Sequence, residues 1–365
     1  MEGRRHVFTY TDQNFVRDVR RTDGETEGQA LSGYDTALRS GWAEKMSRGL
    51  FRYHLGELET RVLPGEAGYV AQLNIQRGIE RRKPQEILSI RQNFDPKQFN
   101  FNRIKPEEVL FEMCKAEPSS TESCLQNGTT TATTGSCVVI INVSPLEFGH
   151  SLLLPEPERC QPQILTPQAV QVGLESVFLS ADPGYRVGFN SLGAFASVNH
   201  LHLHGYYLKH ALRVEWAPTE PLTPEKSLYR LECFPKGFMF YTEGEDPGGT
   251  AEAVCELTDV LVDRNIAHNV FMTRGCPPST EAKRSALRRG VRIYVWPRVS
   301  CFGAKEESAF NVALCELAGH LPFKNKEDFS KIDEDGVKAI VQRYVINDQE
   351  FTELEKRVVG KLQTC

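Results

Sequence analysis

Three histidines alternate through His200-Leu201-His202-Leu203-His204, in a chain of 365 residues that holds nine histidines altogether. Their flanks, Ala196-Ser197-Val198 and Gly205-Tyr206-Tyr207-Leu208, are rich in β-branched and aromatic residues, which predicts a β-strand. On a strand, residues two apart share a face. The three imidazoles then form one row, with Leu201 and Leu203 packed on the opposite side. A helix would spread the same residues over about 200° and keep them from converging on one small ligand.

Such a row admits three chemistries. A middle histidine can attack phosphorus while its neighbours orient it and neutralise oxygens. Three imidazoles can bind a metal. The residues can also be inert core or surface groups. Spacing alone leaves all three open. No nearby carboxylate or Cys-x-x-Cys pair completes a metal site. The segment from Gly188 to Ser197 leads into the row through small residues that let a ligand approach the backbone. Asn190 and Ser197 are neutral donors suited to phosphate oxygens, although Asn190 and Gly193 also fit an ordinary hairpin turn.

His200-Leu201-His202-Leu203-His204 resembles the signature of the histidine triad superfamily. Upstream, the stretch from Asn142 to Pro155, with His150 before Ser151-Leu152-Leu153-Leu154, resembles that superfamily's strand-turn-strand. Longer stretches resemble the GDP-D-glucose phosphorylase family. They are Phe189 to Leu208, Gln72-Leu73-Asn74 with Arg77, Phe99-Asn100-Phe101-Asn102, Ala267-His268-Asn269, and Ala309 to His320. They fall within residues 50–325, most of the chain. The plant GDP-L-galactose phosphorylases and the galactose-1-phosphate uridylyltransferases are the related groups.

The resemblance implies an α+β fold: an antiparallel sheet with flanking helices. It implies phosphorolysis of GDP-glucose by inorganic phosphate, giving GDP and glucose 1-phosphate. His202 is the implied nucleophile, carrying a covalent guanylyl group, with His200 and His204 flanking it and Asn190 and Ser197 on phosphate oxygens. For His202 to attack, one ring nitrogen must stay unprotonated while an acceptor, often a backbone carbonyl, holds the other. Asn142 stands where the superfamily usually holds ribose with an aspartate, and Ala196 where a glutamine is frequent. His150 is a candidate to support the triad from behind. Arg77, Arg81, Arg82 and Lys83 are candidates for the acceptor phosphate, and His268 and His320 for the pocket lining. No cofactor or metal is implied. Transferases of the group often replace the third histidine with glutamine, and the retained His204 leaves a nucleotide hydrolase as a rival. A non-catalytic guanine-nucleotide-binding regulatory protein is another.

The net charge of −5 gives a nucleic-acid role no support. No apolar run reaches a membrane span, and the first residues lack a secretory core. Ten cysteines without framework spacing read as reduced thiols, so the expected compartment is the cytoplasm. Residues 1–38 are polar and are expected to form a mobile lead. Residues 116–136, rich in Ser and Thr, are expected to be a flexible insertion. Trp42, Met46 and Leu50 repeat at helical spacing. Thr166-Pro167 reads as a helix start, with Thr as cap and Pro at the first position. Strand, helix, strand and strand then recur downstream through Phe238, Val254, His268 and Val291. This predicts two tandem units, 39–215 and 216–365, the second degenerate, with Arg292, Tyr294 and Trp296 where the first has histidines.

Overall fold

The computed structural model describes residues 6–21, 30–80, 85–116, 136–281, 283–285, 287–302 and 308–363. Eleven of the described strands form one sheet. In the first half of the chain the spatial order is Val109–Lys115, Cys137–Ile141, Ser151–Pro155, Leu203–Tyr207, Tyr185–Asn190. The helix Pro167–Leu179 joins the third strand to the fifth. The second half repeats that order: Thr219–Thr223, Leu228–Leu231, Phe238–Thr242, Gly290–Arg298, Ala267–Gly275. There the helix Pro247–Asp263 makes the same connection. The two halves meet where Tyr185–Asn190 pairs antiparallel with Ala267–Gly275. The same strand order thus occurs twice within one shared sheet.

The second copy of the triad strand is spent on packing. Arg292 is buried and donates to the carbonyls of Ala217, Cys276 and Pro277. Tyr294 and Trp296 stack with centroids 5.2 Å apart. A buried guanidinium satisfied by carbonyls holds loops together and leaves no nucleophile there.

Local sequence explains the main helices. Thr166 accepts the Ala169 N–H, and Pro167 opens the helix whose Val170, Leu174 and Val177 are buried. That helix, Pro247–Asp263 and Asp348–Gln363 cover one face of the sheet, where Leu201 and Leu203 join their core. The helix Gly33–Ser47 buries Trp42 and Met46, while Leu50 falls beyond its end. Buried Asp35 on this helix accepts from Ser180 Oγ at 2.6 Å, from the Ala181 N–H at 2.7 Å and from Tyr207 Oη at 2.8 Å, which ties it to the triad strand.

The opposite face carries a second core and a small sheet, His320–Phe323, Val70–Leu73, Thr60–Val62, which sequence patterning did not reveal. Within the polar lead, Val7–Tyr10 pairs in parallel with Val109–Lys115 as the edge strand, and the first helix begins at Gly33. Residues 117–135 of the expected insertion, like 1–5 and 22–29 of the lead, lie outside the described residues.

Candidate active site

The triad strand is shorter than its sequence predicts. It begins at Leu203, so His204 alone of the three lies within it. Tyr185–Asn190 and Leu203–Tyr207 pair as far as Gly188 opposite His204. Two positions further in that register Asn190 would face His202, and there Gln163 enters as a wedge. Its Nε2 donates to Asn190 O at 3.0 Å and to His202 O at 3.1 Å. Its Oε1 accepts the His202 N–H at 2.9 Å. A buried side-chain amide thus takes the place of the ladder bonds, which keeps the backbone groups paired while the chain turns away. Gly193 at φ 74° and Phe195 at φ 72° make the bend before it.

The bend sets the imidazoles in different roles. His202 Nδ1 donates to His200 O at 2.7 Å, so its Nε2 is the unprotonated nitrogen, and the ring lines a cavity. Burial pushes the His202 pKa down to about 4, which keeps that lone pair available at neutral pH. His200 is fixed on both sides: Nδ1 accepts the Phe101 N–H at 3.0 Å and Nε2 donates to Pro157 O at 3.0 Å. Its ring therefore does not flank His202 over the cavity as expected. Its carbonyl, not its ring, meets His202, because the chain leaves the strand ladder here and the ring turns to the loop side.

His204 and His150 form a relay of fixed tautomers. His150 Nδ1 accepts the Leu146 N–H at 2.7 Å, so its Nε2 carries the proton and donates to His204 Nδ1 at 3.1 Å. His204 then carries its own proton on Nε2 beside the cavity. Burial, with Arg77 next in effect, holds the His150 pKa well below the ordinary value, so the donor stays neutral. Gly149 at φ 70° closes the turn, and a Cβ there would stand 2.5 Å from the Tyr207 ring.

Asn142, Asn190 and Ser197 all line the same cavity. Asn190 Oδ1 accepts from Asn269 Nδ2 at 2.6 Å and from the Leu314 N–H at 3.0 Å, which presents its own amide NH₂ as a donor. Asn142 Oδ1 accepts the Ser144 N–H at 3.1 Å. Arg77 reaches the lining from the short helix Ile75–Ile79 and donates to Ser144 O. Lys324 comes from the end of the small sheet, with Nζ on Asn311 Oδ1 at 3.0 Å. Arg81, Arg82 and Lys83 lie outside the described residues. His268 and His320 are buried outside the lining, His268 against Phe189 and His320 on Gln72 Oε1 at 2.6 Å. Among the described residues, no group of three or more His, Cys, Asp or Glu is arranged to hold a metal.

Buried neutral histidines make a testable acid lability. Burial lowers His202 and His268 to about 4 and His320 to about 3, from an ordinary 6.5 in the unfolded chain. Between pH 6.5 and 4 the unfolded chain takes up protons that the native chain refuses, so stability falls as pH falls through that window. The urea midpoint is expected to decline steadily from pH 7 to pH 5. A flat midpoint over that range would show the imidazoles already charged or solvated.

The fold and the triad turn place the chain in the class of histidine-triad α+β proteins with two fused units. The same fold occurs in yeast Ap4A phosphorylase Apa2, solved with Ap4A bound, at a TM-score of 0.55 and 16% identity over 86% of this chain and 97% of that one. The chain belongs to the GDPGP1-like family: its N-terminal domain model matches residues 33–206 and its C-terminal domain model residues 213–365. GDP-D-glucose phosphorylase 1 of Danio rerio is 59% identical over 97% of this chain and 98% of its own length. The Homo sapiens protein of that name is 53% identical over 92% and 86%. GDP-L-galactose phosphorylase 1 of Arabidopsis thaliana is 30% identical over 86% and 70%.

Proposed function

We propose that this protein is a nucleotidyltransferase that phosphorolyses GDP-glucose, forming GDP and glucose 1-phosphate through a guanylyl group on His202. The observation that carries the reading is the 2.7 Å bond from His202 Nδ1 to His200 O, which leaves Nε2 unprotonated in the cavity. Nε2 attacks the phosphorus next to guanosine, and the bond to the bridging oxygen breaks. Glucose 1-phosphate leaves with that electron pair; as a phosphate it needs no proton from a dedicated acid. Nδ1 keeps its proton, so the adduct carries positive charge that the His200 carbonyl stabilises. Inorganic phosphate then attacks the same phosphorus, GDP departs, and Nε2 recovers its lone pair. His204 Nε2–H and the Asn190 amide serve the non-bridging oxygens. Ser197 lines the same side, and Asn142 takes the ribose. Residues 39–215 supply the reacting groups, while 216–365 complete the sheet and add Asn311 and Lys324 to the cavity wall.

The eight cysteines among the described residues are free thiols, in keeping with a cytoplasmic enzyme. Among the described residues no helix is long and apolar enough to cross a membrane.

The test is chromatography of products after incubation with GDP-glucose, with and without inorganic phosphate. GDP and glucose 1-phosphate are expected only with phosphate. GMP formed without phosphate would make the protein a hydrolase instead. Arg77→Ala removes a cation from the lining and is expected to raise KM for GDP-glucose about tenfold, with a smaller change in kcat. An unchanged KM would remove Arg77 from the substrate site.

A further inference from the structure

We infer that Glu108 reads the base and makes the site selective for guanine over adenine; this rests on the reading that the nucleoside phosphorus meets His202. The cavity has two unlike walls. One is polar, with Asn74, Arg77, Asn311 and Lys324 around the small sheet. The other is apolar: Phe101, Ile140, Leu152 and Val198 form one core cluster, with Phe99 and Ile104 packed on it. Phe101 stands edge-on to His202 with ring centroids 4.9 Å apart, so this wall begins beside the nucleophile. Asn142 follows directly on the strand that carries Ile140, which directs a nucleoside held there into the apolar wall.

An apolar slot with an aromatic side chain takes the face of a purine and leaves selection to its edge. Among the described lining residues, only Glu108 and Glu316 are carboxylates. Glu108 ends the turn Pro106–Glu108 that continues the apolar wall, and it is half-buried. Its Oε1 accepts the Lys105 N–H at 3.1 Å, which fixes the carboxylate in place. Glu316 belongs to the other wall, where its Oε2 accepts from the Ala313 N–H at 2.9 Å and from Cys315 Sγ at 3.0 Å.

Guanine presents two neighbouring donors, N1–H and N2–H, which a carboxylate accepts together. Adenine turns the N1 lone pair toward the same oxygens and is repelled. A carboxylate at the end of the slot therefore separates the two bases, and an amide in its place does so poorly, because it pairs with either edge.

The experiment compares kcat/KM for GDP-glucose and ADP-glucose in the wild type, Glu108→Gln and Glu316→Gln, with inorganic phosphate as acceptor. Calorimetric titration with GDP and with ADP runs alongside. Glu108→Gln is expected to lose roughly 10- to 100-fold with GDP-glucose, the worth of charged hydrogen bonds, without a matching loss for ADP-glucose. The guanine-to-adenine ratio then collapses in turnover and in binding, while Glu316→Gln keeps the wild-type ratio. An unchanged ratio in Glu108→Gln overturns the inference, as does a collapse in Glu316→Gln alone. Should the wild type fail to phosphorolyse GDP-glucose, the GDP-to-ADP binding ratio still decides the role of Glu108.

Discussion

His202→Ala is expected to lower turnover by at least about 10⁴-fold, with its fold and its affinity for GDP retained. The size follows from what each imidazole has left to offer. His200 has both ring nitrogens engaged by backbone, and His204 Nδ1 receives the His150 proton. Nε2 of His202 is the nitrogen lone pair that the geometry presents to the cavity, so no neighbour inherits its work. Two further results belong to the same expectation. Initial-rate plots in GDP-glucose and phosphate run parallel, because one product leaves before the second substrate reacts. Wild-type protein mixed with GDP-glucose in the absence of phosphate gains the mass of one guanylyl group, and the Ala variant does not. Near-normal turnover in His202→Ala would remove the nucleophile from the mechanism. Intersecting plots without the mass gain would favour direct attack by phosphate.

The parts of this fold that follow local rules were legible in the sequence. Thr166-Pro167 announced its helix, and the strand-helix-strand-strand order of the second half was visible in the recurrence of elements. The histidine alternation placed Leu201 and Leu203 correctly in the core. It misled at the N-terminal side, because period-two patterning reads which face a residue takes but not whether a ladder partner exists. At His202 the partner is a side chain 39 residues away, Gln163. Nothing in Gln161-Pro162-Gln163 marks it, since a buried amide acquires its meaning only from the backbone groups that surround it. The division of labour in the triad was hidden for the same reason. Five alternating residues cannot show that Phe101 and Pro157 occupy both nitrogens of His200. Glu108, too, carries no signal until the turn Pro106–Glu108 is seen beside the apolar slot.

Gln163 therefore supplies the second large effect. Gln163→Ala is expected to lower kcat by about 10²- to 10³-fold with little change in KM, and to destabilise the fold by roughly 3 kcal/mol. The truncation strands the His202 N–H and the carbonyls of Asn190 and His202 in a buried site. Asn190 and His202 stand two positions beyond Gly188 and His204 in the register, so the chain can satisfy those groups by extending the ladder across the gap. Closure would draw His202 into the strand and break the bond from its Nδ1 to His200 O, which fixes the tautomer. The nucleophile would then be present but misaimed, and a displacement of about 1 Å is enough for a loss of this order. Arg77, Lys324 and the apolar wall come from other elements, so substrate affinity is spared. The split between kcat and KM separates this positioning role from general loosening, which would raise KM as well. Gln163→Glu sharpens the test: it keeps an acceptor for the His202 N–H but turns a carboxylate toward two carbonyls unless it is protonated. Its kcat, relative to wild type, is expected to recover as pH is lowered toward 5, whereas the Ala variant shows no such recovery. Wild-type kcat in Gln163→Ala would mean that the bend at His202 is held by Gly193 and Phe195 alone.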